Sequence, residues 1–148
     1  MKNEILNNAI SFDYAYSILH NTIQNVAKNS NEKGLILTIP VAVNCAFACE
    51  VFLKSMLPEG TKGHELKDLF YNLEPSLKNS IESVVILILN DLNKNNYSIN
   101  DFENDLSVNS NVFNEWRYCH EKMKDISFGV QFMYVFEQIL KAFALKDR

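Results

Sequence analysis

Residues that break regular secondary structure are scarce in this chain. Its 148 residues include only four glycines and three prolines. A sandwich or barrel needs many tight turns, and the tightest of these depend on Gly at positive φ or Pro at fixed φ, so all-β architectures are disfavoured. Between the breakers, apolar residues recur at steps of three and four, the period of an amphipathic helix.

That period predicts a first helix from about Glu4 to Lys28, with Ile5, Ala9, Phe12, Tyr16, Leu19, Ile23 and Val26/Ala27 on one stripe. Asn29 to Gly34 stops it. A second helix begins near Pro40, with Thr38 as N-cap, and runs to about Leu57. Pro58 to Gly63 breaks the chain again, and a short helix follows over His64–Leu73. Pro75 opens another over about Ser76–Asn93, whose Val84–Leu89 run is apolar all round. After a polar loop, Asn93–Asn100, a short helix covers Asp101–Leu106 with Asn100 as its cap, and Ser107–Asn111 forms a kink. Val112–Lys124 carries the stripe Val112/Phe113, Trp116, Cys119/His120 and Met123. The last helix spans about Ser127 to Leu145, with Phe128, Phe132, Val135/Phe136, Ile139/Leu140 and Phe143 facing inward. The expectation is all-α: a compact bundle of four to five main helices plus short helices, in a single domain over 1–148.

Hydrophobic residues make up 47% and charged residues 22%, which argues against disorder. A formal net charge of −4 argues against a broad basic surface for non-specific nucleic-acid binding. The N-terminus lacks a secretory apolar stretch, and the longest apolar run, Val84–Leu89, is far shorter than the roughly 20 residues of a membrane span, so a cytoplasmic location without membrane contact is expected. The nineteen asparagines fall largely in loops and at helix ends, where their side chains serve as caps and turns.

The three cysteines, without a secretory signal, read as reduced thiols. Cys45 and Cys49 share a helix face and, with Cys119 or His120, would complete a zinc set. Structural zinc sites usually bring tighter paired spacings, and small buried cysteines suit helix packing, so no metal or cofactor is expected.

Glu50 is the most informative polar residue. It falls on the core-facing stripe of the second helix, between Ala46/Phe47 and Leu53. A carboxylate there must be paired, hydrogen-bonded or protonated, because desolvating it alone is expensive. Arg117, close to the stripe of its own helix, has the matching need, and a Glu50–Arg117 pair would answer both, either fixing helix register or forming a polar floor. Arg117, His120 and Glu121 lie at i, i+3 and i+4, a spacing that would let Arg117 and His120 work together on a phosphodiester. His64, after Gly63, reads first as a local packing and hydrogen-bonding residue. His20 lies in a polar stretch and draws no role. Lys54, Lys62 and Lys67 cluster around the second and third helices, as solvated helix ends or a small anion patch.

Three blocks in order, Asn44-Cys45-Ala46-Phe47-Ala48-Cys49-Glu50-Val51-Phe52-Leu53-Lys54, Gly63-His64-Glu65-Leu66-Lys67-Asp68-Leu69-Phe70 and Phe113-x-x-Trp116-Arg117-Tyr118-x-x-Glu121, resemble segments of one bacterial branch of HEPN domains (higher eukaryotes and prokaryotes nucleotide-binding). The resemblance spans about Asn44 to Glu121. It implies a helical bundle that forms a homodimer, binds RNA, nucleotide or a protein partner, and works in toxin–antitoxin, antiphage or RNA-processing systems, for instance beside a nucleotidyltransferase from the same operon. It also implies that Asn44, Glu50, His64 and Arg117, with Glu121, form a polar cluster for binding. Catalytic members of the family are metal-independent ribonucleases with an Arg and a His separated by about four to six residues. Here Arg117 stands at the Arg, the corresponding positions hold Lys122, Met123 and Lys124, and His120 is too close. The motif is therefore degenerate. The competing expectations are an endoribonuclease using Arg117 with His120, and a non-enzymatic adaptor dimer joined through Val84–Leu89 and the aromatic residues Phe128, Phe132, Tyr134 and Phe136 of the last helix.

Overall fold

The helical period produces seven helices among the described residues: α1 (Lys2–Lys28), α2 (Thr38–Met56), α3 (Leu66–Tyr71), α4 (Pro75–Asn93), α5 (Ile99–Val108), α6 (Val112–Arg117) and α7 (Val130–Leu145). The computed structural model describes residues 2–28, 37–93, 96–117 and 129–146, with the side chains of Ala27, Lys28, Asn93 and Arg117 outside that description. No strand occurs among the described residues, so the all-α reading holds.

Several boundaries differ from expectation, each for a local reason. Thr38 is not the N-cap of α2 but its first residue; Leu37 takes the cap position and provides no side-chain hydrogen bond. The third helix is shorter than His64–Leu73, because His64 stays outside it and Glu65 is extended at its N-cap before Leu66. The fifth begins earlier: Ser98, not Asn100, is the N-cap, and Ser98 with Asp101 forms a reciprocal capping box. The Ser98 amide donates to the Asp101 carboxylate and the Asp101 amide to Ser98 Oγ, which satisfies two otherwise orphaned donors. The break expected from Ser107 narrows to a turn over 109–111.

The core is built around α2, which packs on α1, α3, α6 and α7; α4 in turn packs on α7 and α5. Along α2, Val41, Ala42, Cys45, Ala46, Ala48, Cys49, Val51, Phe52 and Leu53 are buried. The small residues let neighbouring helices approach closely. Cys45 and Cys49 belong to this packing, and the Cys45 thiol donates to the Met133 carbonyl of α7 at 3.7 Å. Among the described residues α2 is the one helix long and apolar enough to cross a membrane, and more than half of that stretch is buried inside the bundle, as in a core helix.

A second nucleus is aromatic. Phe70 of α3, Phe102 of α5 and Phe132 and Phe136 of α7 meet with ring centroids 5.4–6.2 Å apart, within the range of favourable ring pairs. Phe132 and Phe136 are therefore occupied in the chain's own core, and the adaptor interface expected to use them loses both. The α4 run is not buried all round: Ile81, Val85 and Leu89 face inward, whereas Leu87 is 68% exposed.

Buried asparagine joins α5 to α7. Asn109 accepts the Gly129 backbone N–H at 2.9 Å and donates to the Asp105 carbonyl at 2.8 Å. A Cβ at Gly129 would lie 2.9 Å from the Asn109 amide nitrogen, so the absence of a side chain permits this approach.

Candidate functional site

Glu50 is buried, as its place on the α2 stripe predicts. Its Oε1 accepts from Lys54 Nζ at 2.7 Å and from His64 Nδ1 at 2.9 Å. Its Oε2 has no hydrogen-bond partner among the described residues. Exposure grades outward through the cluster: the Glu50 side chain is 2% exposed, Lys54 20% and His64 57%. A carboxylate at the base thus orients an imidazole at the surface. With Nδ1 engaged, Nε2 has no hydrogen-bond partner among the described residues.

Local chain geometry fixes His64 in this position. Lys54 follows Glu50 by one helical turn, so its amine reaches the carboxylate along the same face. After α2, Gly63 adopts φ 102°, a left-handed conformation that side chains disfavour. The chain then enters α3 with its first amides held from the 109–111 turn: Leu66 N–H donates to the Ser110 carbonyl at 3.1 Å and Lys67 N–H to Ser110 Oγ at 3.0 Å. On the other side, the His64 ring lies 6.4 Å from Phe113, which stacks on Phe47 at 4.6 Å. Gly63→Ala is expected to lower stability by about 1–2 kcal/mol through backbone strain alone, since nothing lies within 4 Å of the added Cβ. Denaturant titration checks this, and an unchanged midpoint would contradict it.

Two cavities meet at His64. The first, about 370 Å³, has Ile5, Phe47, Val51 and Pro58 as apolar walls and Glu50, Lys54 and His64 as its charged or ionisable lining. The second, about 360 Å³, is polar and includes Lys62, Glu65, Asp68 and Asn114. The imidazole therefore sits between an apolar recess and a polar groove.

Of the residues singled out from sequence, the structure brings Glu50 and His64 together. Asn44 is not joined to them by any described contact; its amide donates to the Pro40 carbonyl one turn back in α2. Arg117 ends α6, which packs on α2, but its side chain, and with it the expected Glu50–Arg117 pair, lies outside the described residues. His120, Glu121 and Cys119 also lie outside them, as do the ribonuclease pair Arg117/His120 and the zinc set that would use Cys119 or His120. Among the described residues no group of three His, Cys, Asp or Glu is placed to hold a metal ion. Lys67 donates to Ser107 Oγ at 2.9 Å, away from Glu50, so the three lysines do not form one patch.

Sequence reasoning missed a second polar group. Asp13 of α1 and Glu137 of α7 are both buried, and Lys141 Nζ donates to Asp13 Oδ2 at 2.7 Å. The signal was the one that found Glu50: Asp13 falls between Ala9 and Tyr16, and Glu137 between Met133 and Leu140, on apolar stripes.

Comparison with known proteins returns no similar family model, curated protein or solved structure.

Proposed function

We propose that this chain is a HEPN-like binding module, active as a homodimer, that takes RNA or a nucleotide at the cavity over Glu50 and His64. The carrying observation is the Glu50–His64 contact. Here a carboxylate 2% exposed holds an imidazole that is 57% exposed and lines two cavities, which supports a ligand site. Burying a carboxylate is costly unless its hydrogen bonds are met, and its effect here is to fix Nδ1 of a side chain that lines both cavities. In the imidazolium form His64 donates from Nδ1 to Glu50 and from Nε2 to a phosphate, which can also accept from Lys62, while the apolar recess beside Phe47 receives a base or sugar. The degenerate Arg117 motif fits binding without cleavage. Bacterial defence, toxin–antitoxin or RNA-associated systems, with an operon partner such as a nucleotidyltransferase, are the settings this reading suggests.

The test is fluorescence anisotropy with labelled single-stranded RNA and with mononucleotides. His64→Ala and Lys62→Ala are each expected to weaken binding about tenfold, the equivalent of one charge-assisted contact. Equal affinity in wild type and both variants, or no binding by wild type, would contradict the proposal. Sedimentation of a single species at the 17.0 kDa chain mass would contradict the dimer.

A further inference from the structure

We propose that Asp13 and Glu137 share one proton inside the bundle, forming a latch between α1 and α7 that alkaline conditions release. The argument starts from an imbalance. Two carboxyl groups, 5% and 0% exposed, meet at this joint, and Lys141 supplies one cation. Lys141 Nζ donates to Asp13 Oδ2, and Gln138 Nε2 donates to Glu137 Oε2 at 2.6 Å. This leaves one buried oxygen on each acid, Asp13 Oδ1 and Glu137 Oε1, without a partner among the described residues. Lys141 follows Glu137 by one turn of α7, so its bond to Asp13 brings that carboxyl to the helix face that carries Glu137. A proton on Glu137 Oε1, donated to Asp13 Oδ1, satisfies both oxygens and matches the remaining negative charge to Lys141.

The other groups facing the pair reinforce this. Tyr16 of α1 and Cys49 of α2 are themselves held neutral, well above their ordinary titration ranges, chiefly by burial. Cys45 of α2 completes the surroundings, and neither cysteine nor tyrosine supplies positive charge. Burial first, and the Asp13 charge second, push the Glu137 carboxyl up to about 8. The ordinary carboxyl value applies in the unfolded chain, so the folded state binds the extra proton. Stability from this group is therefore complete below about pH 4.5, falls as pH rises, and levels off once pH has passed about 8. The same helix α1 also carries Ile5 and Asn8 into the wall of the first cavity.

The experiment compares wild type with Glu137→Gln, whose amide mimics the protonated acid, by denaturant unfolding from pH 5 to 9.5. The wild-type folding constant is expected to fall more than a hundredfold relative to the variant between pH 5 and 8, then run parallel above pH 9. Carbon-detected NMR of the wild-type Glu137 carboxyl gives a reading independent of any variant, with a midpoint expected near pH 8. Asp13→Asn is expected to move that midpoint downward. A midpoint in the ordinary carboxylate range, or a constant wild-type to variant ratio across the pH series, overturns the latch.

Discussion

Phe136→Ala is expected to lower stability by about 3–5 kcal/mol, the cost of emptying a fully packed aromatic position. Phe136 is completely buried and meets Phe70, Phe102 and Phe132 at 5.8, 6.2 and 5.4 Å between ring centroids. Its removal opens a void where α3, α5 and α7 converge, and none of these rings can close it without leaving its own contacts. The same truncation at Leu87, 68% exposed on α4, is expected to cost less than about 0.5 kcal/mol. Urea denaturation of both variants checks the contrast. Since a domain of this size is stable by only about 5–15 kcal/mol, Phe136→Ala removes a large share of it. Equal midpoints for the two variants would mean that the aromatic nucleus does not hold the bundle.

The second large effect is expected at the candidate site. Lys54→Met removes the closer cation from Glu50 and leaves a buried carboxylate with His64 as its remaining described donor. Breaking a buried pair by deleting one partner costs about 3–5 kcal/mol, and the lower end applies because Lys54 is partly solvated. Glu50→Met combined with Lys54→Met is expected to recover most of that loss, since an apolar pair of similar volume carries no desolvation penalty. The recovered double variant would fold with an unanchored His64, which separates the needs of the fold from those of binding. A loss under about 1 kcal/mol for Lys54→Met, with no recovery in the double variant, would contradict the pairing.

Much of this architecture was legible because helical periodicity is a strong signal. Glu50 could be placed inside from its stripe alone, and so could the inward faces of α2 and α7. On α1 the expected line ran through Ile5, Ala9 and Phe12. The observed buried line runs through Leu6, Ala9, Asp13 and Tyr16, a rotation of the same face. That rotation hid Asp13, because a stripe drawn through apolar residues passes over an acid. Glu137 was hidden for the same reason beside Phe136. The partners of Glu50 were less legible. Lys54 stands at the i+4 spacing that favours pairing, but Arg117 also had an apparent need, and one-dimensional spacing does not rank a partner in another helix. His64 was legible only as a residue after a glycine. Its approach to Glu50 depends on the Gly63 conformation and on Ser110 holding the start of α3, a contact between residues far apart in sequence. Caps were misplaced where two polar residues competed, as Ser98 and Asn100 did, and the reciprocal bond to Asp101 decided between them.

The central claim is that the Glu50–His64 cluster marks a ligand site. Backbone amide NMR of uniformly labelled wild-type protein, titrated with a short single-stranded RNA and separately with mononucleotides, tests it most directly. Saturable shifts are predicted at Phe47, Glu50, Thr61, Lys62 and His64, which line the two cavities, and His64→Ala is predicted to reduce them. Saturable shifts confined to other surfaces, or none at millimolar ligand, would contradict the account.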